Sequence, residues 1–415
     1  MTRLALLALA ATAAAGDLLV VAPAAFHGDL KAYVARKGAG AKLVALEQAL
    51  AGEGADEPER LKRFLYDAWR NGTRYVLLVG DGDVLPMRYM ALDRVTPAAF
   101  DTAFYPSDLY YADVAKQDGS FEDWNGQKEG FHALYFGEVR GEKNKSDPIN
   151  FDGIDYLPEL AVGRWPVSNV EELGRVVANS LAFDRGARTG RVALIDVPGW
   201  VDCTALHARL ASSLGDGVLA LRAPDEATLL AALGKGPDLV LHTGHGDVDR
   251  WHGCISVASL ANLPKGVRPP VVFSAGCSTA AFAPLPPYEA YVDTDGVEHA
   301  GTNSGEVFSL PPPPPHPLQP KFDRTGLGEQ FLLSGAAVYI GCNTGSQPCA
   351  LTLMDGFARA YPKALRLGDC WLEALRHYHR AERLADLVPT ESWYPPSVFF
   401  QGMKFMFFGD PSLAR

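Results

Sequence analysis

Two stretches of this chain end an apolar run on a residue able to do chemistry. His245 lies between Gly244 and Gly246, just after Asp-Leu-Val-Leu-His (238–242). Cys277 follows 32 residues later and closes Pro-Pro-Val-Val-Phe-Ser-Ala-Gly-Cys (269–277). A cysteine attacks a carbonyl as its thiolate, and a nearby imidazole balances that charge and later protonates the leaving group. Neither residue is diagnostic alone. A strand-end His is commonly a hydrogen-bonded structural residue, and a lone Cys commonly a small core residue. As neighbouring parallel strands, however, the two runs would finish on one sheet edge, where open α/β sheets bind their ligands. Gly246 has no Cβ, so its amide can come close to a developing oxyanion. The amide of Cys277 is a second donor, and one such donor contributes about 3–4 kcal/mol to a transition state.

Metal chemistry is a rival reading. His242, His245, His252 and Cys254 are all zinc-ligand types. His242 and His245 flank a Gly-rich turn rather than sitting i, i+4 on a helix, and in an extended strand they would face opposite sides. Asp247 and Asp249 sit close enough in sequence to attract a cationic group. Trp251 is open to two readings, as a wall of the substrate cleft or as a core residue.

The elements around these residues alternate. Residues 17–23 and 41–46 read as buried strands flanking a helix over 29–37 that Gly38 stops. A second helix begins at the cap Asp56, carries Pro58 in its first turn and presents Leu61, Phe64, Leu65, Ala68 and Trp69 as one stripe. A third strand, 74–79, runs into an acidic loop. This order predicts an α/β fold with a mostly parallel sheet covered by helices on both faces. Residues 95–157 read as a long loop region with one hairpin. Its acids Asp108, Asp113, Asp118, Glu122 and Asp123 are ordinarily solvated charges, with a structural calcium ion as the alternative. Order returns with a strand near 160–165 and a helix starting near Ser168 or Asn169. A new alternating run begins at Arg191, which places a subdomain boundary near 187, giving an N-terminal α/β unit over 16–186 and a catalytic unit over 187–415. Residues 284–323, with the run Pro311–Pro315, read as an insertion, mobile or covering the site.

The chain has 415 residues, 47% of them hydrophobic, and a net charge of −11. That charge argues against a general nucleic-acid-binding face, while leaving a cationic substrate possible. Arg3 followed by the apolar stretch Leu4–Ala15, with Ala13 and Ala15 before Gly16, reads as a signal peptide over 1–15. Export and a soluble mature protein without a membrane span are expected. The six cysteines form no metal framework. Cys342 and Cys349 are near enough for a local disulfide, which the sequence leaves open.

Several motifs occur in order: Tyr-Val-Leu-Leu-Val-Gly-Asp-Gly-Asp (75–83), Ser-Asp-Leu-Tyr-Tyr (107–111), Pro-Glu-Leu-Ala-Val-Gly-Arg-Trp (158–165), the His245 and Cys277 blocks, Gly-Glu-Gln-Phe-Leu-Leu (328–333) and Phe-Gly-Asp-Pro-Ser-Leu (408–413). Together they resemble the gingipain-type cysteine peptidases, family C25 of the caspase-like clan, over nearly all of 17–415. The resemblance implies a caspase-like three-layer sandwich of two subdomains and a cysteine endopeptidase acting on proteins or peptides. It implies Cys277 as nucleophile, His245 as general acid/base, Gly246 and Cys277 as oxyanion donors, and Glu159 as the carboxylate orienting His245. Trp251 and Asp247 become candidates for contact with substrate. No cofactor is required on this reading, and structural calcium stays open. The family's preference for basic residues does not transfer, because its acidic pocket residue has no clear counterpart. No long segment separates Gly16 from the first strand and no further domain follows Gly409–Leu413, so latency and surface anchoring are expected to work differently. A silent relative, its cleft blocked by 284–323, and a zinc hydrolase remain the alternatives.

Overall fold

The structure, a computed structural model, describes residues 17–91, 104–124, 154–263, 265–302, 312–321, 325–387, 398 and 401–415. The expected signal peptide, part of the 95–157 region and part of the proline-rich insertion lie outside the described residues.

Ten strands form one sheet. They are β1 (Leu18–Ala22), β2 (Lys42–Ala45), β3 (Tyr75–Val79), β4 (Ala161–Trp165), β5 (Val192–Asp196), β6 (Val218–Arg222), β7 (Leu239–Thr243), β8 (Val271–Ser274), β9 (Val338–Cys342) and β10 (Phe405–Gly409). Their order is β2-β1-β3-β4-β10-β9-β8-β7-β5-β6. Most of these strands are buried along their whole length and rich in Val, Leu and Ile, as a sheet covered on both faces requires. Alternate side chains feed two cores. Val76, Leu78, Leu241, Phe273 and Ile340 pack on one face. Val20, Leu77, Val240, Val272 and Tyr339 pack on the other.

Helices cover both faces. α1 (His27–Lys37), α3 (Val170–Arg185), α5 (Glu226–Leu233) and α6 (Leu327–Ser334) contribute to one layer. α2 (Glu57–Arg70), α4 (Thr204–Leu214), α7 (Ala350–Ala360) and α8 (Leu367–Ala381) contribute to the other. Asp56 caps α2 by accepting from the Glu59 amide, and Asn169 caps α3 through the amides of Glu171 and Glu172. These are helix starts that the sequence predicts.

The sheet has a seam. β9 and β10 pair antiparallel, while the other neighbours pair parallel. The strands before the seam therefore run opposite to those after it. The carboxyl ends of β7 and β8 share an edge with the amino ends of β4 and β10. The boundary expected near residue 187 falls between α3 and β5, yet β10, from the chain's last residues, sits at the junction of the two halves.

The insertion lies elsewhere than expected. Its described residues pack on the edge beyond β3, far from Cys277. Pro317 accepts from the Met87 amide at 2.8 Å, and the Gln319 amide donates to Gly82 at 2.9 Å. Lys321 Nζ donates to Ser168 Oγ at 2.9 Å and pairs with Glu172 at 3.3 Å. The chain leaving Cys277 crosses the sheet along Ala280 and Phe282, which lie in the core, before the insertion begins. These described residues are thus anchored beside the loop after β3 and the start of α3.

The loop region holds a two-stranded pairing of Tyr89–Ala91 with Phe104–Pro106. Three of its acids have partners of their own, and Asp113 and Glu122 both act on the buried Lys62. Asp108 grips the buried Arg164, Asp113 accepts from Trp124 Nε1, and Asp118 accepts from Ser120. Among the described residues, no three His, Cys, Asp or Glu side chains gather where a metal ion could bind. All six cysteines are free, so Cys342 and Cys349 are not joined.

Arg164 is fully buried and holds Asp108 through Nε at 2.8 Å and Nη2 at 2.7 Å, with Nη1 on the Gly80 carbonyl. Removing one partner strands a buried charge. We expect Asp108→Ala to lower unfolding stability by about 3–5 kcal/mol in urea titration. A loss below about 1 kcal/mol, the value typical of an exposed pair, would show that Arg164 finds another partner.

Candidate active site

β7 and β8 are adjacent and in register, Ser274 beside His242. Two residues past the end of β7 the chain carries His245, and three past β8 it carries Cys277. After His245 the chain turns through a small sheet of Gly246–Asp247, Arg250–Trp251 and Ile255–Ser256. The two strand ends touch main chain to main chain. A Cβ on Gly246 would lie 2.4 Å from Thr279 Cγ2 and 2.9 Å from the Cys277 carbonyl. A Cβ on Gly276 would lie 3.0 Å from the Gly246 nitrogen. Both positions must be glycine for the loops to approach this closely.

The imidazole of His245 is exposed, and its Nε2 lies 3.0 Å from the Gly199 carbonyl. A carbonyl only accepts, so Nε2 is the donor in this contact. Cys277 is half-buried. Its Sγ accepts from the Ser346 amide at 3.3 Å and lies 3.6 Å from the Ser346 carbonyl. Burial pushes the thiol above its ordinary range, opposed by the Ser346 amide and the positive Lys404. Asp247 pushes the same way as burial. Lys404 is fully buried just before β10. Ser346 and Lys404 escaped sequence reasoning. Ser346 belongs to a loop without periodicity, whereas a lysine at the head of Phe-Met-Phe-Phe (405–408) was a usable signal.

Three expectations change. Glu159 does not reach His245. It precedes β4, four strand positions from β7, which is about 19 Å across a sheet. Its Oε2 accepts from the amides of Val114 and Ala115 at 2.9 and 3.1 Å. Trp251 is a core residue and not a cleft wall. It is 1% exposed, stacks on His242 with centroids 4.2 Å apart, and donates to Tyr339. The possible zinc ligands do not all gather: His242 is buried against Ser274 Oγ and Cys254 is buried, while the exposed His245 has the His252 ring 6.0 Å away. Asp249 is engaged with Arg250, while Asp247 stays exposed with Oδ1 on the Val248 amide.

The model of peptidase family C25 matches residues 11–414. The chain belongs to that family. This C25 chain is a cysteine-type endopeptidase with a caspase-like α/β fold. Among solved structures it is similar to the Arg-specific cysteine proteinase gingipain R, at 16% identity and TM-score 0.62, covering 96% of this chain and 78% of that one. It is also similar to a complex of the pro- and mature domains of RgpB from Porphyromonas gingivalis, at 15% identity and TM-score 0.62, covering 96% and 79%. At these identities the likeness speaks for the fold. No curated protein sequence matches the chain.

Two outcomes follow from this geometry. Gly246→Ala should lower kcat/KM by about 100-fold, since a displacement of about 1 Å at a reacting centre costs that much; near-normal kinetics would show that the loops can separate without harm. Glu159 is held protonated up to about pH 7, chiefly by burial, against about 4.3 in an unfolded chain. Its contribution to stability is full below the lower value and lost as pH rises through the higher. Glu159→Gln should remove that decline in unfolding titrations between pH 4 and 7 while leaving kcat unchanged. A fall in kcat of about tenfold or more would return Glu159 to the catalytic machinery.

Proposed function

We propose that the chain is a secreted endopeptidase that cleaves peptide bonds through a Cys277–His245 dyad and a thioester acyl-enzyme. The observation that carries this reading is the main-chain contact between the ends of β7 and β8, which sets an imidazole and a thiol on one sheet edge. At rest the thiol is neutral, its Sγ lying beside the Ser346 carbonyl. Nδ1 of His245 takes the thiol proton as Sγ attacks the scissile carbonyl carbon. The amides of Gly246 and Cys277 receive the oxyanion. His245 then passes its proton to the leaving amine, the C–N bond breaks, and a thioester remains. Water, deprotonated by His245, attacks that thioester, and Cys277 leaves with the proton restored.

The exposed Asp247 favours a cationic side chain beside the scissile bond. Export rests on residues 1–15. Among the described residues, no helix is long and apolar enough to cross a membrane.

The test is cleavage of a diverse peptide library by the chain starting at Gly16. Wild type should cut, with basic residues favoured at the cut and that preference weakened by Asp247→Asn. Cys277→Ala should cut nothing while melting like wild type, and cleavage by that variant would remove the nucleophile assignment. Alkylation by iodoacetamide adds a pH signature. The Cys277 rate should keep rising above about pH 8.5, the ordinary thiol range, because its thiol is pushed up. It should react ahead of Cys349, which burial raises to about 11, and of Cys254, Cys342 and Cys370, raised to about 12; Cys203, also raised by burial, is 3% exposed.

A further inference from the structure

Resting on the Cys277–His245 reading, we propose that Thr279 is the positioning residue of the oxyanion site, its hydroxyl fixing the peptide plane that carries the Cys277 amide. The turn after β8 sets it there. Ser278 has a positive φ of 53°, which side chains of L-residues rarely adopt, so the chain turns sharply straight after Cys277. The Ser278 amide donates to the Thr344 carbonyl at 2.7 Å, and the Ala280 amide donates to the Cys342 carbonyl at 2.9 Å. Both acceptors lie at the end of β9. Thr279 sits between these two ties and is fully buried. Its own carbonyl accepts from the Gly328 amide at 2.9 Å.

Each branch of the Thr279 side chain meets one of the two donor peptides. Oγ1 donates to the Gly276 carbonyl at 3.3 Å. A trans peptide points its C=O and its N–H in opposite directions. Drawing the Gly276 oxygen inward therefore turns the Cys277 N–H outward, to the side of its own Sγ. Among the described residues that amide has no main-chain acceptor. Cγ2 fills the space beside Gly246, 2.4 Å from where a Cβ would stand. The hydroxyl is held in its turn. Tyr339 Oη is within hydrogen-bond reach of Thr279 and Ser274, and Gly341 leaves room, since a Cβ there would lie 2.8 Å from Thr279 Oγ1. The preceding peptide is pinned as well. The Gly276 N–H donates to Ser274 Oγ at 3.2 Å, and His242 Nδ1 lies 2.9 Å from the same oxygen. These bonds act on the peptides beside the thiol, whereas Sγ itself is held by Ser346.

The experiment uses the full chain and follows two reactions of Cys277. Hydrolysis of the library peptide that wild type cuts fastest passes through an oxyanion, and alkylation by iodoacetamide does not. Thr279→Val keeps the shape of the side chain and removes the hydroxyl. It should lower kcat by about 100-fold, the lower end for loss of one oxyanion donor, with KM and the alkylation rate within about twofold of wild type. Thr279→Ser keeps the hydroxyl and should hydrolyse within about threefold of wild type. A Thr279→Ser variant as slow as Thr279→Val overturns the proposal, because the methyl group is then what matters. An equal fall in alkylation by Thr279→Val also overturns it, because the thiol itself has then moved. If wild type cuts and Thr279→Val cuts equally well, the role of Thr279 alone falls. If wild type cuts no peptide at all, the peptidase reading fails and this role falls with it.

Discussion

The backbone at Gly244–Gly246 lies directly on the backbone at Gly276–Cys277, close enough that a single added methyl would meet Thr279 at 2.4 Å. Two parallel strands keep their ends about 4.8 Å apart through hydrogen bonds, but the residues beyond the last ladder bond are free to splay. Here the missing Cβ atoms prevent that. They hold the loop with the imidazole against the loop with the thiol. Ser278 continues the tight geometry with a positive φ of 53° and an amide bonded to the Thr344 carbonyl at 2.7 Å.

The antiparallel seam between β9 and β10 organises the remainder. Because the strand direction reverses there, the far edge of the N-terminal half, beyond β3, takes the proline-rich insertion. The catalytic edge of the C-terminal half stays clear of its described residues. The same reversal puts Glu159 on the catalytic edge but displaces it sideways by several strands. There its carboxylate holds the turn after the short helix Leu109–Ala112 through two main-chain amides.

Electrostatics around the thiol are balanced toward neutrality. Burial and Asp247 disfavour the thiolate, whereas the Ser346 amide and the buried Lys404 favour it. On the proposed dyad reading, such a thiol gives up its proton when substrate arrives.

The sequence by itself determined the layers, the helix caps and the two reactive strand ends, because these are local. Continuous apolar strands bury on both faces, Asp56 and Asn169 cap the helices that follow, and Gly-His-Gly and Ala-Gly-Cys mark ends that leave a sheet. The order of the motifs was also legible, and with it the family. Only the tertiary structure decided which groups meet. Strand order and the direction of β10 depend on pairings between residues far apart in the chain, which no local pattern encodes. They sent Glu159 away from His245, buried Trp251 against His242, and brought a main-chain carbonyl to the imidazole. A carbonyl is present at every residue, so no side-chain letter could announce this contact; the folded position of Gly199 alone brings it about.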